Sequence, residues 1–165
     1  MRRVAGSSTS GVSHVPLPSR GMAYTFQVTV DCRDPHRLAA WWAQALRWEV
    51  EPQDAAFIKR MIAEGFATED DTTTYEGRVV WKEGAAITHP EGTGRAPRML
   101  FQTVSEDKVV KNRVHLDLRI GEDELAATVE RLTDAGATFL HEGRQGPHAW
   151  VTLADPEGNE FCVSP

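Results

Sequence analysis

One order of elements, β-α-β-β-β, occurs twice in this chain, and it constrains the fold more than any other feature of the sequence. The second copy is the clearer one. Its predicted elements are a strand at 114–120, a helix at 122–134 and a strand at 138–141, followed by the segments HAWVTLAD and NEFCVSP around the turn DPEGN. Pro presets φ in such a turn, Gly tolerates positive φ, and Asp and Asn bond their own backbone. The last two segments are therefore predicted to form a closing hairpin.

The first half follows the same order with an insertion. Its first strand, at 24–32, precedes a helix that extends to residue 46, with Asp34 as the N-cap and Pro35 at the first helical position. The remaining predicted elements are a strand at 48–51, an extra helix at 53–66, a polar loop at 67–77, and strands at 78–82 and 98–104 separated by a loop rich in Gly and Pro. We therefore expect an α+β fold of two paired βαβββ modules.

The expected organisation is a disordered tail at 1–22 and one domain at 23–165. Within that domain, the first module spans about 23–104 with its insertion at 53–77, the linker spans 105–112, and the second module spans about 113–165. The tail is rich in Ser, Gly and Pro, which cannot bury much surface.

Charge and hydropathy exclude several classes of function. The formal net charge of the 165 residues is -6, which argues against nucleic acid as the main partner, because phosphate binding requires clustered Lys and Arg. The sequence contains no apolar run of roughly 18 residues that could cross a membrane. Without an apolar signal segment, we expect a cytoplasmic protein in which Cys32 and Cys162 are free thiols.

Motifs of other common chemistries are missing from the sequence. It contains no GxSxG nucleophile elbow, no GxxxxGK[ST] phosphate loop and no HExxH zinc helix. The polar face of the strand at 114–120 is more informative, because His115, Asp117 and Arg119 alternate along it. Three ionisable groups on one strand face rarely point into a dry core, so this face either lines a polar cavity or is solvated.

Three segments resemble the vicinal oxygen chelate superfamily, and its glyoxalase-like branch in particular. They are QVTVDCRDPHRLAAWWAQALRWEV, RMLFQTVSEDKVVKNRVHLDLRI and DPEGNEFCV, and the resemblance extends from Tyr24 to Pro165. It implies that the sheets of the two modules curl into a cup. In the metal enzymes of the family, four side chains of this cup bind one divalent ion.

The resemblance assigns four positions of this chain to that site: Gln27, Gln102, His115 and Cys162. Metal enzymes usually have Glu at the last of these, and Glu160 could supply a carboxylate if the register differs. Two amides, an imidazole and a thiol are a poor ligand set for a divalent ion. The resemblance therefore implies either no cofactor or one divalent ion such as Zn, Ni, Mn or Fe.

We expect a protein that binds a small organic molecule in the cup without a fully formed metal site. The candidate ligand-binding residues are Gln27, Gln102, His115, Asp117, Trp150 and Cys162. One alternative is a metal-dependent lyase, isomerase or dioxygenase-type enzyme of the same superfamily, with His115 as the candidate catalytic base. A second alternative is a dimeric interaction module, since the family commonly pairs its modules within or between chains, and we expect a homodimer.

Overall fold

The structure is a computed structural model that describes residues 24–165 of the chain, so the predicted tail lies outside the described residues. Its helices are α1 (Pro35–Leu46), α2 (Ala55–Ala63) and α3 (Leu125–Asp134). Its strands in the first half are β1 (Val28–Cys32), β2 (Glu49–Val50), β3 (Thr72–Tyr75), β4 (Arg78–Trp81), β5 (Gly84–Thr88) and β6 (Met99–Thr103). Those of the second half are β7 (Asp117–Arg119), β8 (Thr138–Gln145), β9 (His148–Ala154) and β10 (Glu160–Ser164).

The two halves form sheets of identical strand order. The first sheet has the order β1-β6-β5-β2 and the second has the order β7-β10-β9-β8. In each sheet the first and last strands of the βαβββ unit are parallel neighbours, whereas the pairs formed by the later strands are antiparallel. The predicted α+β fold of two βαβββ modules is confirmed by this duplication.

Several predicted boundaries in the first half are wrong. The loop predicted at 86–97 overlaps a strand, because residues 84–88 form β5, whose three central residues are buried. Small residues such as Ala carry little strand propensity, so local sequence does not indicate this strand; burial beneath α1 stabilises it. The strand predicted at 78–82 is β4. Among the described residues its only strand partner is β3, which lies within 67–77, the segment predicted to be a loop.

The first strand of each module is also shorter than expected. Strand β1 begins at Val28 rather than at residue 24, and β7 contains only Asp117–Arg119 rather than residues 114–120. Backbone hydrogen bonding nevertheless extends past β7, because the amide of Cys162 donates to the carbonyl of Leu116 at 2.8 Å. Gln27 and His115 therefore lie just before their strands.

The capping pattern at the start of α1 is confirmed. The Asp34 side chain accepts a hydrogen bond from the Arg37 amide at 3.0 Å, and Pro35 occupies the first turn. This cap fixes where the helix begins, and the apolar stripe of α1 then faces both modules. Trp42 contacts Phe161 of β10, with ring centroids 5.0 Å apart.

Hydrogen bonds from two tryptophans also join the modules. The Trp42 Nε1 donates to the Asp155 carboxylate at 3.0 Å, and the Trp41 Nε1 donates to the Ala135 carbonyl at 2.9 Å. Asp155 belongs to the DPEGN turn, so this turn both closes the last hairpin and holds the first helix. The two modules therefore share one hydrophobic core. Among the described residues, no helix is long and apolar enough to cross a membrane.

Candidate functional site

A cavity of about 860 Å³ lies on one face of the second sheet. The two faces of β10 explain its position, because strand side chains alternate. Phe161 and Val163 belong to the shared core, whereas Glu160, Cys162 and Ser164 line the cavity. The cavity is therefore the face of the second module that points away from the core.

Four polar side chains form a row across this face. Cys162 pairs in register with Asp117 on one side and with Thr152 on the other, and Thr152 pairs with His141 of β8. Residues in register have side chains on the same face of a sheet, and all four line the cavity. A carboxylate, a thiol, a hydroxyl and an imidazole therefore lie side by side.

The face that carries His115, Asp117 and Arg119 lines this cavity. His115, Asp117 and Arg119 are all exposed, so this polar face both borders the cavity and is open to solvent. The His115 Nε2 lies 3.3 Å from an Asp117 oxygen, and the possible ligand atoms of His115, Asp117 and Cys162 all lie within 4.8 Å of one another.

The Cys162 thiol is held in its protonated form. Burial raises its pKa, and the nearby Asp117 carboxylate raises it further; a hydrogen-bonding contact of 3.6 Å with the Thr152 hydroxyl acts in the opposite direction. A cysteine nucleophile requires the thiolate and hence a lowered pKa. This environment is therefore unsuited to nucleophilic catalysis by Cys162.

The same cluster is chemically compatible with a zinc-type ion. Zn²⁺ binds imidazole nitrogen, carboxylate oxygen and thiolate sulfur, and ligand atoms around a tetrahedral ion are roughly 3.5 Å apart. The three donors would have to approach one another by small side-chain rotations, and Cys162 would have to lose its proton. The carboxylate comes from Asp117, which the sequence indicated only as a ligand-binding residue.

The two glutamines predicted for the site lie in the first module. The Gln27 Oε1 accepts a hydrogen bond from Arg98 at 3.0 Å, and Gln102 pairs in register with Asp31 and Gly84 in the first sheet. Neither glutamine lines the cavity that contains Cys162. The structure thus brings together His115, Asp117, Trp150 and Cys162 of the predicted set, and leaves Gln27 and Gln102 outside this cavity.

Glu160 lines the cavity but is engaged by the linker. Its carboxylate accepts a hydrogen bond from the Asn112 amide at 3.0 Å and lies 3.3 Å from the Lys108 ammonium group. Burial tends to raise the Glu160 pKa, but the Asn112 amide and Lys108 outweigh it and the pKa is lowered. Glu160 therefore anchors the linker to the second module as a carboxylate.

A second cavity, of about 580 Å³, lies between β1 and the segment before β7. Thr29 and Asp31 line it from the first module, and His115 and Glu160 line it from the second. His115 and Glu160 also border the larger cavity, so both cavities meet at these two side chains. His115 is therefore accessible from both sides.

Sequence reasoning did not assign Thr152 or His141 to the site. Alternation along HAWVTLA places Thr152 on the same face as Trp150, so a signal for Thr152 was present. The alternation of residues along β8 does not predict the face on which the His141 side chain lies. A register irregularity between Phe139 and His141 determines that face.

The family model for the glyoxalase-like domain matches residues 27–164. No curated protein has a significant sequence match to this chain. Solved structures with low sequence identity share the fold. A mutant form of the fosfomycin resistance protein FosX from Listeria monocytogenes, complexed with Mn(II) and 1S,2S-dihydroxypropylphosphonic acid, is 10% identical with a TM-score of 0.58, and the alignment covers 87% of this chain and 90% of that one.

Two further structures extend this comparison. A glyoxalase/bleomycin resistance protein/dioxygenase family enzyme from Burkholderia phytofirmans PsJN is 16% identical with a TM-score of 0.54, and the alignment covers 84% of this chain and 94% of that one. A glyoxylase/bleomycin resistance protein/dioxygenase domain from Frankia sp. EAN1pec is 14% identical with a TM-score of 0.53, with coverage of 87% and 98%. At such identities these structures establish the fold alone.

Proposed function

Since this chain belongs to the glyoxalase-like domain family of the vicinal oxygen chelate superfamily, we propose that it binds a small organic molecule in the cavity of its second module, without a fully formed metal site. The observation that carries the proposal is the convergence of polar groups from four strands on one cavity. Its volume of about 860 Å³ lies within the range of roughly 300–1,000 Å³ typical of small-molecule sites.

The chemistry of the lining supports a ligand with both polar and apolar parts. Lys111, Arg119 and Asp117 bring charges of both signs to the cavity, while Trp150 supplies an aromatic wall. Among the described residues, neither Lys111 nor Arg119 forms a salt bridge, so both cations are available to a ligand. Polar groups at fixed positions in a cavity determine the orientation of a small ligand, and the aromatic wall contacts its apolar part.

The proposal is tested with a fragment library and protein treated with EDTA. Binding is measured by ligand-observed NMR for the wild type and for Ser164→Phe, which fills the cavity from β10. Thr74→Phe is the matched control, since Thr74 is an exposed strand residue of β3 in the insertion. We expect Ser164→Phe to weaken binding about tenfold or more, a change of about 1.4 kcal/mol, and Thr74→Phe to leave it unchanged. If Ser164→Phe binds the fragments as tightly as Thr74→Phe and the wild type do, the cavity is not the binding site.

A second candidate function, a metal-dependent lyase or isomerase, is favoured by the cluster of His115, Asp117 and Cys162. A divalent ion held by these three would supply Lewis-acid polarisation of a carbonyl oxygen. In the absence of an ion, His115 is the candidate general base, because its ring lies beside the Asp117 carboxylate and is accessible.

Elemental analysis and equilibrium dialysis with Zn²⁺ separate the two functions. For a metal enzyme, one ion per chain binds to the wild type, binding is lost in His115→Ala and Cys162→Ala, and Cys32→Ala retains it because Cys32 lies in the core. For the metal-independent binding protein, the ion content is low and unaffected by these substitutions.

A further inference from the structure

Among the glycines in the described part of the chain, Gly143 is the one at which an added Cβ atom would come closest to another residue, and that residue is Trp150. The two residues are opposite each other on β8 and β9. A Cβ atom added at Gly143 would lie 2.2 Å from the Trp150 Cε2, and 2.4 Å from both Cζ2 and Nε1. A side chain at position 143 would therefore displace the indole, which occupies the volume that a Cβ atom would fill.

The three distances show that the indole turns its face, not its edge, to Gly143. An atom that approached the ring edge at Cε2 would lie closer to Nε1 and Cζ2 than to Cε2 itself. The observed order is the reverse, with Cε2 nearest and its two neighbours equally distant. The indole of Trp150 therefore lies over the backbone of β8.

The part of the indole that does not face Gly143 borders the cavity that Trp150 lines. The hydrogen bonding of the tryptophans differs here. The Trp41 and Trp42 Nε1 groups donate to the Ala135 carbonyl and the Asp155 carboxylate, whereas within the described residues the Trp150 Nε1 has no acceptor. An aromatic ring that packs over a strand glycine also stabilises a sheet in the absence of any ligand. A purely structural role of this contact is therefore the alternative that the experiment must exclude.

We infer that Gly143 determines ligand specificity by allowing Trp150 to form a flat stacking platform, and that the ligand carries a planar aromatic or heteroaromatic ring. This inference rests on the proposed binding function and names its ligand class. Offset stacking of two rings favours an aromatic ligand over its saturated analogue, because only the aromatic ring matches the quadrupole of the indole.

Matched pairs of probes test the inference without knowledge of the natural ligand. The pairs are benzoate with cyclohexanecarboxylate and benzylammonium with cyclohexylmethylammonium, so each pair differs in aromaticity and retains its polar group and its charge. Dissociation constants are measured by NMR titration for the wild type, Gly143→Ala, Trp150→Phe and Trp150→Leu. Gly84→Ala is the matched control, since Gly84 is also a strand glycine but its added Cβ would meet no atom closer than 3.5 Å.

We expect the wild type and Gly84→Ala to prefer the aromatic member of each pair by about three- to tenfold. The preference should persist in Trp150→Phe and disappear in Gly143→Ala and Trp150→Leu. Trp150→Leu keeps the test decisive if Gly143→Ala does not fold. A purely structural contact would lower the stability of these variants and leave the ratio of affinities unchanged, which would overturn the inference.

The outcomes also separate this inference from the proposed function. If both members of each pair bind the cavity equally well in the wild type, the aromatic platform is refuted and small-molecule binding stands. If no probe binds up to its solubility limit and Ser164→Phe also changes nothing in the fragment screen, the proposed function fails and the inference fails with it.

Discussion

The hydrogen bonds of Asp155 should contribute more to stability than those of any other polar side chain between the modules. Asp155 is 2% exposed and accepts from the Trp42 indole at 3.0 Å, from the Glu157 and Asn159 amides at 2.9 Å, and from the Asn159 side chain. Asp155→Ala would leave the buried Trp42 N–H without an acceptor and would release the turn. Because a hydrogen bond to a charged group contributes about 1.5–3 kcal/mol and an orphaned buried donor costs about 1–3 kcal/mol, we expect a loss of about 3–5 kcal/mol.

The assay is urea denaturation followed by far-UV circular dichroism, with Trp42→Phe and the double variant completing a thermodynamic cycle. The coupling free energy between the two positions should be about 1.5–3 kcal/mol. Asp155→Asn is the control, since its oxygen can still accept from the turn amides while its amide nitrogen cannot accept from the indole. A coupling near zero, or a loss below about 0.5 kcal/mol in Asp155→Ala, would refute the assignment of this turn as the junction between the modules.

Three further predictions follow from the same packing. Burial, followed by nearby carboxylates, raises the pKa of Cys32 to about 12, so the folded state keeps a proton that the unfolded chain releases from about pH 9. The difference in unfolding free energy between the wild type and Cys32→Ala should therefore be constant below that pH and fall by up to about 1.4 kcal/mol per pH unit above it. Urea denaturation that finds the same difference at every pH would contradict this. Because Cys162 is 8% exposed against 2% for Cys32, and because the pKa of Cys32 is raised to about 12, maleimide should label Cys162 first. Labelling of Cys162 should be slower than that of a free thiol at pH 8, since its pKa is also raised; mass spectrometry that finds Cys32 labelled first would oppose the assignment. The Glu157 carboxylate accepts hydrogen bonds from the Arg33 and Asp34 amides at 2.7 and 2.9 Å. Glu157→Ala should therefore lower the free energy of unfolding, measured by thermal unfolding, by about 1–2 kcal/mol, whereas Glu157→Asp should retain part of this stabilisation.

Local sequence predicted the elements whose signals are complete within a few residues. The cap at Asp34, the helix stripe of α1 and the DPEGN turn each depend on neighbours in the chain, and the structure confirms all three. Strand β5 escaped prediction because Gly and Ala have low strand propensity and because its burial depends on α1, which lies much earlier in the chain.

The candidate site was predicted in part for a similar reason. Alternation placed His115, Asp117 and Arg119 on one face, and alternation depends only on the strand itself. The neighbours of that face, Thr152 and His141, depend on the register between β7, β10, β9 and β8, which is set by pairing between distant segments.

The glutamines illustrate the limit of a resemblance. Family position assigned Gln27 and Gln102 to one site with His115 and Cys162, but neither glutamine lines the cavity that contains Cys162. Position along a strand does not fix which cavity a side chain lines, because that depends on how two modules pack.

The central claim is that a small molecule binds against the second sheet, and amide NMR of the isotope-labelled protein tests it most directly. The labelled chain is titrated with the tightest fragment from the screen in the presence of EDTA. We predict chemical-shift changes concentrated on β7, β9 and β10, with the largest at Asp117, Thr152 and Cys162, and their loss in Ser164→Phe. Shift changes confined to the first sheet or to the insertion, or no changes at saturating fragment, would contradict the claim.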